Sequence, residues 1–447
     1  MYTSYIGKKF LKLYNRKSGQ SLSARAFFDA IFFPDFFNHE THLMHVGNSP
    51  FFQRPSAKAM EGGLTKAQAQ LKKLHQDIQN EVPNMATFVG FAAKDMIGTT
   101  SGQLSNINFK IEPDEMYASW IGEALGVGVS GGFVMLLDKE EVLWTLFKGW
   151  KVYRNYLQQT PNLKDKQIET WNGKWLTHVF SDSYNPEEPT ENFELGEEEV
   201  LGKLAITTQR WSKVVFALAK KYPTQDITAY AYNLSQTNTT LGFINLRLPE
   251  VRHMWEWRNK TFINRKESAL TEKEISQLEP YYNFKGACKL GTIGLKALEP
   301  DKLRDFLPAP FGRNKDYKFS DESSYTQFQI YKLWIIAMLN KTELLDLAAQ
   351  VATAIGEYEN QNKAEGRGTN KASQDVKKIR EAKNLKEFIE SLTDLLEKTP
   401  GYASTFKQVV KDVLALPLDQ FPLFITLIRF EYQYQKSNSN SQLKINL

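Results

Sequence analysis

The strongest constraint on what this chain can fold into is a change of hydrophobic period along its 447 residues. Up to about residue 330, runs with helical spacing alternate with short apolar runs of strand length; beyond it only the 3.6-residue period persists. Leu344, Leu345, Leu347, Ala348, Val351 and Ile355 share one face of a helix that Thr342 opens. After the polar linker NQNKAEGRGTNKAS (360–373), Val376, Ile379, Leu385, Phe388, Leu392 and Leu395 predict a second helix, ended by Pro400-Gly401. Phe406, Val409, Val410 and Val413 predict a third, stopped by Pro417, and a fourth runs from Asp419 to Gln433. Helices on short connections predict an antiparallel bundle. The expected fold class is therefore α+β: a mixed N-terminal body (1–330) followed by a C-terminal four-helix bundle (331–447) with a loose polar tail.

Within the body, SLSARAFFDAIFF (21–33) is helical and aromatic, and Ala69, Leu71, Leu74 and Ile78 predict an amphipathic helix over 65–79. TFVGFAA and INFKI read as strands around the polar stretch IGTTSGQLSN. Pro113 opens a helix to about Leu125, Phe133–Leu137 reads as a buried strand, and Lys139–Gln158 as a helix striped by Leu143, Phe147, Trp150 and Leu157. Lys203–Tyr222 reads as a helix, and Ile227–Leu234 and Gly242–Leu246 as strands around SQTNTT. Residues 259–325, with prolines at 280, 300, 308 and 310, yield no clear pattern.

Composition narrows the function classes. The single cysteine, Cys288, excludes an internal disulfide and every cysteine-rich zinc site, and fits a reducing compartment. Ile330–Leu339 and Leu414–Phe430 are too short to span a membrane or are broken by Lys332, Pro417, Asp419 and Pro422. The first 17 residues lack a secretory apolar run. The expectation is a cytoplasmic protein with no membrane partner. Residues 182–199 hold eight acids and no base, so the rest of the chain carries +13 against an overall +5. That block, with Pro186 and Pro189, reads as an exposed loop. A basic remainder suits a polyanionic partner.

Four motifs bear on chemistry. GVGVSGG matches G-x-G-x-x-G at Gly126, Gly128 and Gly131, but a helix precedes it and a strand follows. That order is wrong for a dinucleotide site, leaving a glycine turn packed closely on backbone or a ligand. His39, His42 and His45 repeat every third residue without forming H-E-x-x-H, among enough phenylalanines to read as ring packing. Asp301, Asp316 and Lys318 can be arranged as a PD…DxK nuclease set only if their segments are adjoining strands. Cys288 has no histidine nearby in sequence to activate it.

The two polar loops, 99–106 and 233–240, offer Thr100, Ser101, Gln103, Ser105 and Asn106, and Asn233, Gln236, Asn238 and Thr239. Asn and Gln pair with base edges, and Ser and Thr with bases or phosphates, although an ordinary turn uses the same residues. Lys8, Lys9 and Arg247 supply phosphate-binding charge, and Lys148/Trp150/Lys151/Tyr153/Arg154 and Arg247/Arg252/Trp255/Trp257/Arg258/Lys260 mix basic and aromatic groups.

The stretches GTTSGQLSN, ASWIGEALGVGVSGGFVML and NTTLGFINLRLPEV, with the layout of body and bundle, resemble the large subunit of a type I CRISPR surveillance complex (Cascade), in a I-B-like form. The resemblance implies a non-catalytic subunit, without cofactor, that works with guide RNA and other Cascade subunits. Such a subunit reads the protospacer-adjacent motif in double-stranded target DNA, assists strand opening and recruits a helicase-nuclease. It also implies a bundle similar to a separate small subunit, with Met338 a candidate internal start. Relatives that bind zinc through paired cysteines differ from this chain, which has Cys288 alone. The alternatives are a metal-dependent nuclease of a defence system and a protein-binding scaffold.

Overall fold

The computed structural model describes residues 2–80, 83–90, 111–234, 240–263, 270–276, 278, 280–364 and 369–445. Helix α1 (Tyr2–Ser18) is followed by α2 (Ala24–Phe27), which passes through a π turn (Phe28–Phe32) into α3 (Phe33–Phe36). Next come α4 (Lys66–Asn80), α5 (Pro113–Glu123), β1 (Val127–Val129), β2 (Phe133–Leu137), α6 (Glu140–Gln159) and α7 (Ile168–Val179). They lead to β3 (Glu197–Val200), β4 (Lys203–Ile206), α8 (Trp211–Lys221), β5 (Ile227–Asn233), β6 (Thr240–Leu246) and α9 (Leu248–Arg258). Then follow α10 (Glu272–Ser276), α11 (Phe284–Cys288), β7 (Thr292–Ile293) and α12 (Glu322–Leu339). The last helices are α13 (Glu343–Ala364), α14 (Thr369–Arg380), α15 (Leu385–Leu396), α16 (Ala403–Leu414) and α17 (Phe421–Ile445). The class is α+β, as the sequence predicts.

The chain packs as two compact units, Met1–Pro249 with Phe284–Ile293, and Glu250–Asn283 with Gly294–Leu447. The packing boundary thus falls near 249 rather than 330. Residues just before α12 lie on that helix: Trp334 Nε1 donates to Leu295 O (3.0 Å) and the Tyr331 hydroxyl to Asp301 O (2.9 Å).

The first unit holds a five-stranded sheet in the order β1-β2-β5-β6-β7, antiparallel except for β6–β7. Gly131 and Gly132, both at positive φ, turn β1 into β2, as a glycine turn should. Helices α1 and α5 cross at Gly7 and Gly122, where a Cβ on either would enter the facing backbone. The aromatic run 27–37 becomes core, with Phe10, Phe27, Phe28, Phe32, Phe36, Trp120 and Trp150 all buried. Two sequence expectations fail here. Residues 87–90 of TFVGFAA form turns, and the remainder of that run lies outside the described residues. The acidic loop and the helix expected from 203 overlap a hairpin, β3–β4, which Leu201 and Gly202 turn at positive φ.

In the second unit the helix expected over 376–395 is two, α14 and α15, because Asn384 caps the second by accepting from Glu387 N (2.9 Å). The C-terminal region therefore holds α13 to α17 where four helices are expected. Phe306, Tyr317, Phe328, Tyr331 and Phe430 pack their rings together beside α12 and α17. No helix among the described residues is long and apolar enough to cross a membrane.

Candidate nucleic-acid interface

Strands β5 and β6 alternate, so one face of each enters the core and the other points out. Ile227, Ala229 and Ala231 are buried, as are Ile244 and Leu246, while Tyr230 and Phe243 pair directly on the outer face. Helix α1 delivers Tyr2 to that face. Its ring centroid lies 5.1 Å from Tyr230 and 5.1 Å from Phe243, edge-on to the latter, and 5.2 Å from Tyr5 in a stack. Phe243 remains 62% exposed and Tyr5 47% exposed. Tyr5 and Phe243 are thus the exposed members of a four-ring cluster on the outer face of the sheet, in which Tyr2 and Tyr230 are half-buried and the Tyr2 hydroxyl is buried.

The two ends of this face differ. At one end lie Asn233, the last residue of β5, and Thr240, the first of β6. Thr240 Oγ1 donates to Ala231 O (3.2 Å) and accepts from Gly242 N (2.9 Å), next to a bulge between Ala231 and Tyr232. At the other end sit charges. The Tyr5 hydroxyl donates to Asp138 (3.0 Å), and Lys9 pairs with the same carboxylate. Asp226 accepts from Asn245 Nδ2 (3.3 Å) and lies 3.7 Å from Arg247 Nε. The hydrogen bond to Asp138 raises the Tyr5 pKa. Burial opposes the Lys9 charge, but Asp138 outweighs it and raises the ammonium pKa. Lys12 and Arg16 continue the exposed face of α1, with Arg16 on Glu140 (2.5 Å).

Of the sequence-predicted site residues, Asn233 stands at one end and Lys9 and Arg247 at the charged end, roughly 20 Å away at about 3.3 Å per strand residue. Lys8 points elsewhere and pairs with Glu115. Thr100, Ser101, Gln103, Ser105, Asn106, Gln236, Asn238 and Thr239 lie outside the described residues. The sequence reading missed Tyr2, Tyr5, Tyr230 and Phe243. Their signal is the ring at outward positions of ITAYAYN and TLGFINL, together with tyrosines three apart on α1.

The other candidates resolve into packing. Trp150, Tyr153 and Arg154 are buried, and Arg154 donates to Asp35 O (2.7 Å) and Thr41 O (3.1 Å), so that cluster is no stacking surface. In the second cluster Arg252 pairs with Glu256 (3.2 Å) and Lys260 lies over the Trp257 ring (4.9 Å). His42 and His45 pack against Phe52, and Lys166 covers the same ring at 5.1 Å. Burial, then the Lys166 charge, push the His42 pKa down to about 4. Asp316 is held by Arg380 and by Arg429 (3.4 Å), and neither it nor Asp301 lies on a strand. Burial pushes the Cys288 thiol up to about 12, away from reactivity. Among the described residues no group of three or more His, Cys, Asp or Glu is placed to hold a metal. No family model, curated protein or solved structure matches the chain.

Proposed function

We propose that this chain is a non-catalytic, nucleic-acid-binding large subunit of an RNA-guided DNA surveillance complex of the type I, I-B-like kind. It would act with guide RNA and partner subunits in the cytoplasm, reading a short motif in duplex DNA, assisting strand opening and recruiting a helicase-nuclease. The observation that carries this reading is the ring cluster of Tyr2, Tyr5, Tyr230 and Phe243, with an end of paired charges, Lys9 on Asp138 and Arg247 near Asp226, beside it. Strand opening exposes base faces, and an outward aromatic surface is what an unpaired base stacks on. In sequence, the segment between β5 and β6 carries amide and hydroxyl residues of the kind that read base edges. The nuclease alternative loses its support at Asp316, whose carboxylate is committed to two guanidinium groups.

The test is binding of the assembled ribonucleoprotein to short duplexes that differ only in a randomised triplet, over a salt series, with Mg²⁺ present and product lengths followed. Triplet-dependent binding without cleavage by this chain is the expected result. Changing Gln103 or Asn238 should alter triplet preference at matched affinity, and an unchanged preference removes that loop from the reading. Phe243→Ala should weaken capture of an opened or single strand by about 5- to 100-fold, the worth of roughly one stacked base. Lys12→Ala is a cleaner probe of uniform phosphate attraction than Lys8 or Lys9, which also pair with Glu115 and Asp138. Cleavage by the chain alone, abolished by Asp316→Ala, would instead establish the nuclease.

A further inference from the structure

The hairpin β3–β4 has one covered edge and one open edge, and its hydrogen bonds show which is which. On the β4 side, Leu204 N donates to Asn162 O (3.0 Å) and Leu204 O accepts from Lys164 N (2.7 Å). The Gln167 side chain continues that line: its Oε1 accepts from Ile206 N (3.2 Å) and its Nε2 donates to Ile206 O (3.3 Å). Leu204 and Ile206 therefore turn their backbone groups away from β3. In an antiparallel ladder the residues opposite them turn theirs the other way, and those residues are Glu199 and Glu197. Among the described residues, no hydrogen bond reaches the backbone N–H or C=O of either.

Two further features belong to this open edge. Glu197, Glu198 and Glu199 are all exposed, and Glu197 and Glu199 share one face of the strand while Glu198 takes the other. A cation on either face of an incoming strand thus meets a carboxylate. Leu201, next to the end of β3, is fully exposed and holds a φ of 54°, where a hairpin turn ordinarily places Asn or Gly. An apolar side chain wholly in water contributes no packing within the chain.

An open strand edge is a template for another strand, and charge selects which strand can use it. A second copy of this edge would set glutamates against glutamates, and a nucleic acid would bring phosphates; both are repelled. A basic extended segment is attracted by the same carboxylates, and an apolar residue in it can cover Leu201. We propose that the outer edge of β3 docks an extended, lysine- or arginine-bearing segment of a partner protein, which adds a strand to the hairpin through the backbone groups of Glu197 and Glu199. This contact stands apart from the aromatic cluster and does not depend on nucleic-acid binding there.

The test titrates the full chain, at low salt, into a labelled, end-capped short peptide of alternating lysine and valine, followed by fluorescence anisotropy. Saturable binding is expected, with no binding of the matching glutamate–valine peptide. N-methylation along the peptide backbone keeps the charges but removes the N–H donors, and should weaken binding by about tenfold or more. Glu199→Pro removes an outward N–H that the hairpin does not use, and should weaken binding about tenfold with little change in the unfolding midpoint. Leu201→Asn suits the left-handed turn, so it should hold or raise the midpoint while weakening binding about threefold. Amide exchange at Glu197 and Glu199 should slow when the lysine peptide binds. Absence of binding by the wild-type chain overturns the docking edge. Equal binding of the N-methylated peptide, or unslowed exchange at both amides, reduces the contact to charge attraction and also overturns it. A concentration-dependent dimer that Glu199→Pro abolishes overturns it in favour of a second copy of the chain.

Discussion

In the helical unit a buried lysine meets a buried glutamate: Lys332 Nζ of α12 lies 2.8 Å from Glu431 Oε1 of α17, both almost wholly shielded. In the sheet unit Glu123 and Glu169 are equally shielded and meet no cationic side chain. Aromatic groups show a matching contrast. The rings around Phe306, Tyr331 and Phe430 stack inward, whereas Tyr5 and Phe243 of the sheet unit face out. Both units leave some buried polar atoms unpartnered and some large apolar groups exposed, Gln329 Oε1 and Leu418 of the helical unit among them. What sets the sheet unit apart is that its exposed rings, Tyr5 and Phe243, belong to one cluster on a sheet face.

The contrast can be broken first at its strongest point. Lys332→Met should destabilise the helical unit by about 3–5 kcal/mol, because Glu431 then stays buried without a partner. Lys332→Met/Glu431→Leu should recover most of that, as followed by denaturant unfolding. No loss in the single variant would mean that the pair was never dehydrated.

Glycine substitution should have opposite signs in the two units. Gly122→Ala pushes a methyl into the Thr3 backbone at the α1–α5 crossing and should cost about 2–3 kcal/mol. Gly356→Ala, on α13 with open space around it, should stabilise by about 0.5–1 kcal/mol through helix propensity and a less free unfolded chain. Thermal unfolding of the two variants compares them directly.

His42 tests the sheet unit through pH. Its folded pKa of about 4 lies below the ordinary value of 6.5, so between these pH values the unfolded state binds more protons. Stability contributed by the neutral ring is complete above about pH 6.5 and is lost as pH falls towards 4. Discounted for partial exposure, the loss should be about 1–2 kcal/mol, and His42→Gln should flatten that part of the stability profile. The smallest effect expected is on stability in Phe243→Ala, within about 0.5 kcal/mol, since an exposed ring removes little packing when truncated. A large loss there would turn the ring cluster into a piece of core.

Some of this was legible from residue order. The stripe Ala69, Leu74, Ile78 and the proline at 113 mark α4 and α5, and the strands at 133–137 and 227–233 follow from apolar runs. Strand β3 was not legible, because Glu197, Glu198 and Glu199 favour no strand by themselves and are held by pairing with Leu204, Ala205 and Ile206. The break between α14 and α15 was hidden because the apolar period runs on through a cap. The candidate surface was half visible: its charged and polar members stand out in sequence, but its rings look like core until the sheet assigns them a face.

The sequence by itself determined the α+β class, the helical C-terminal region and the glycine turn, because periodicity and backbone freedom are local properties. Only the tertiary structure decided that residues 294–321 belong with α12, that Asp316 answers to two arginines, and that Tyr2 joins Tyr230 and Phe243. Those outcomes depend on which distant segments meet, and burial and charge pairing are set by such meetings rather than by order along the chain.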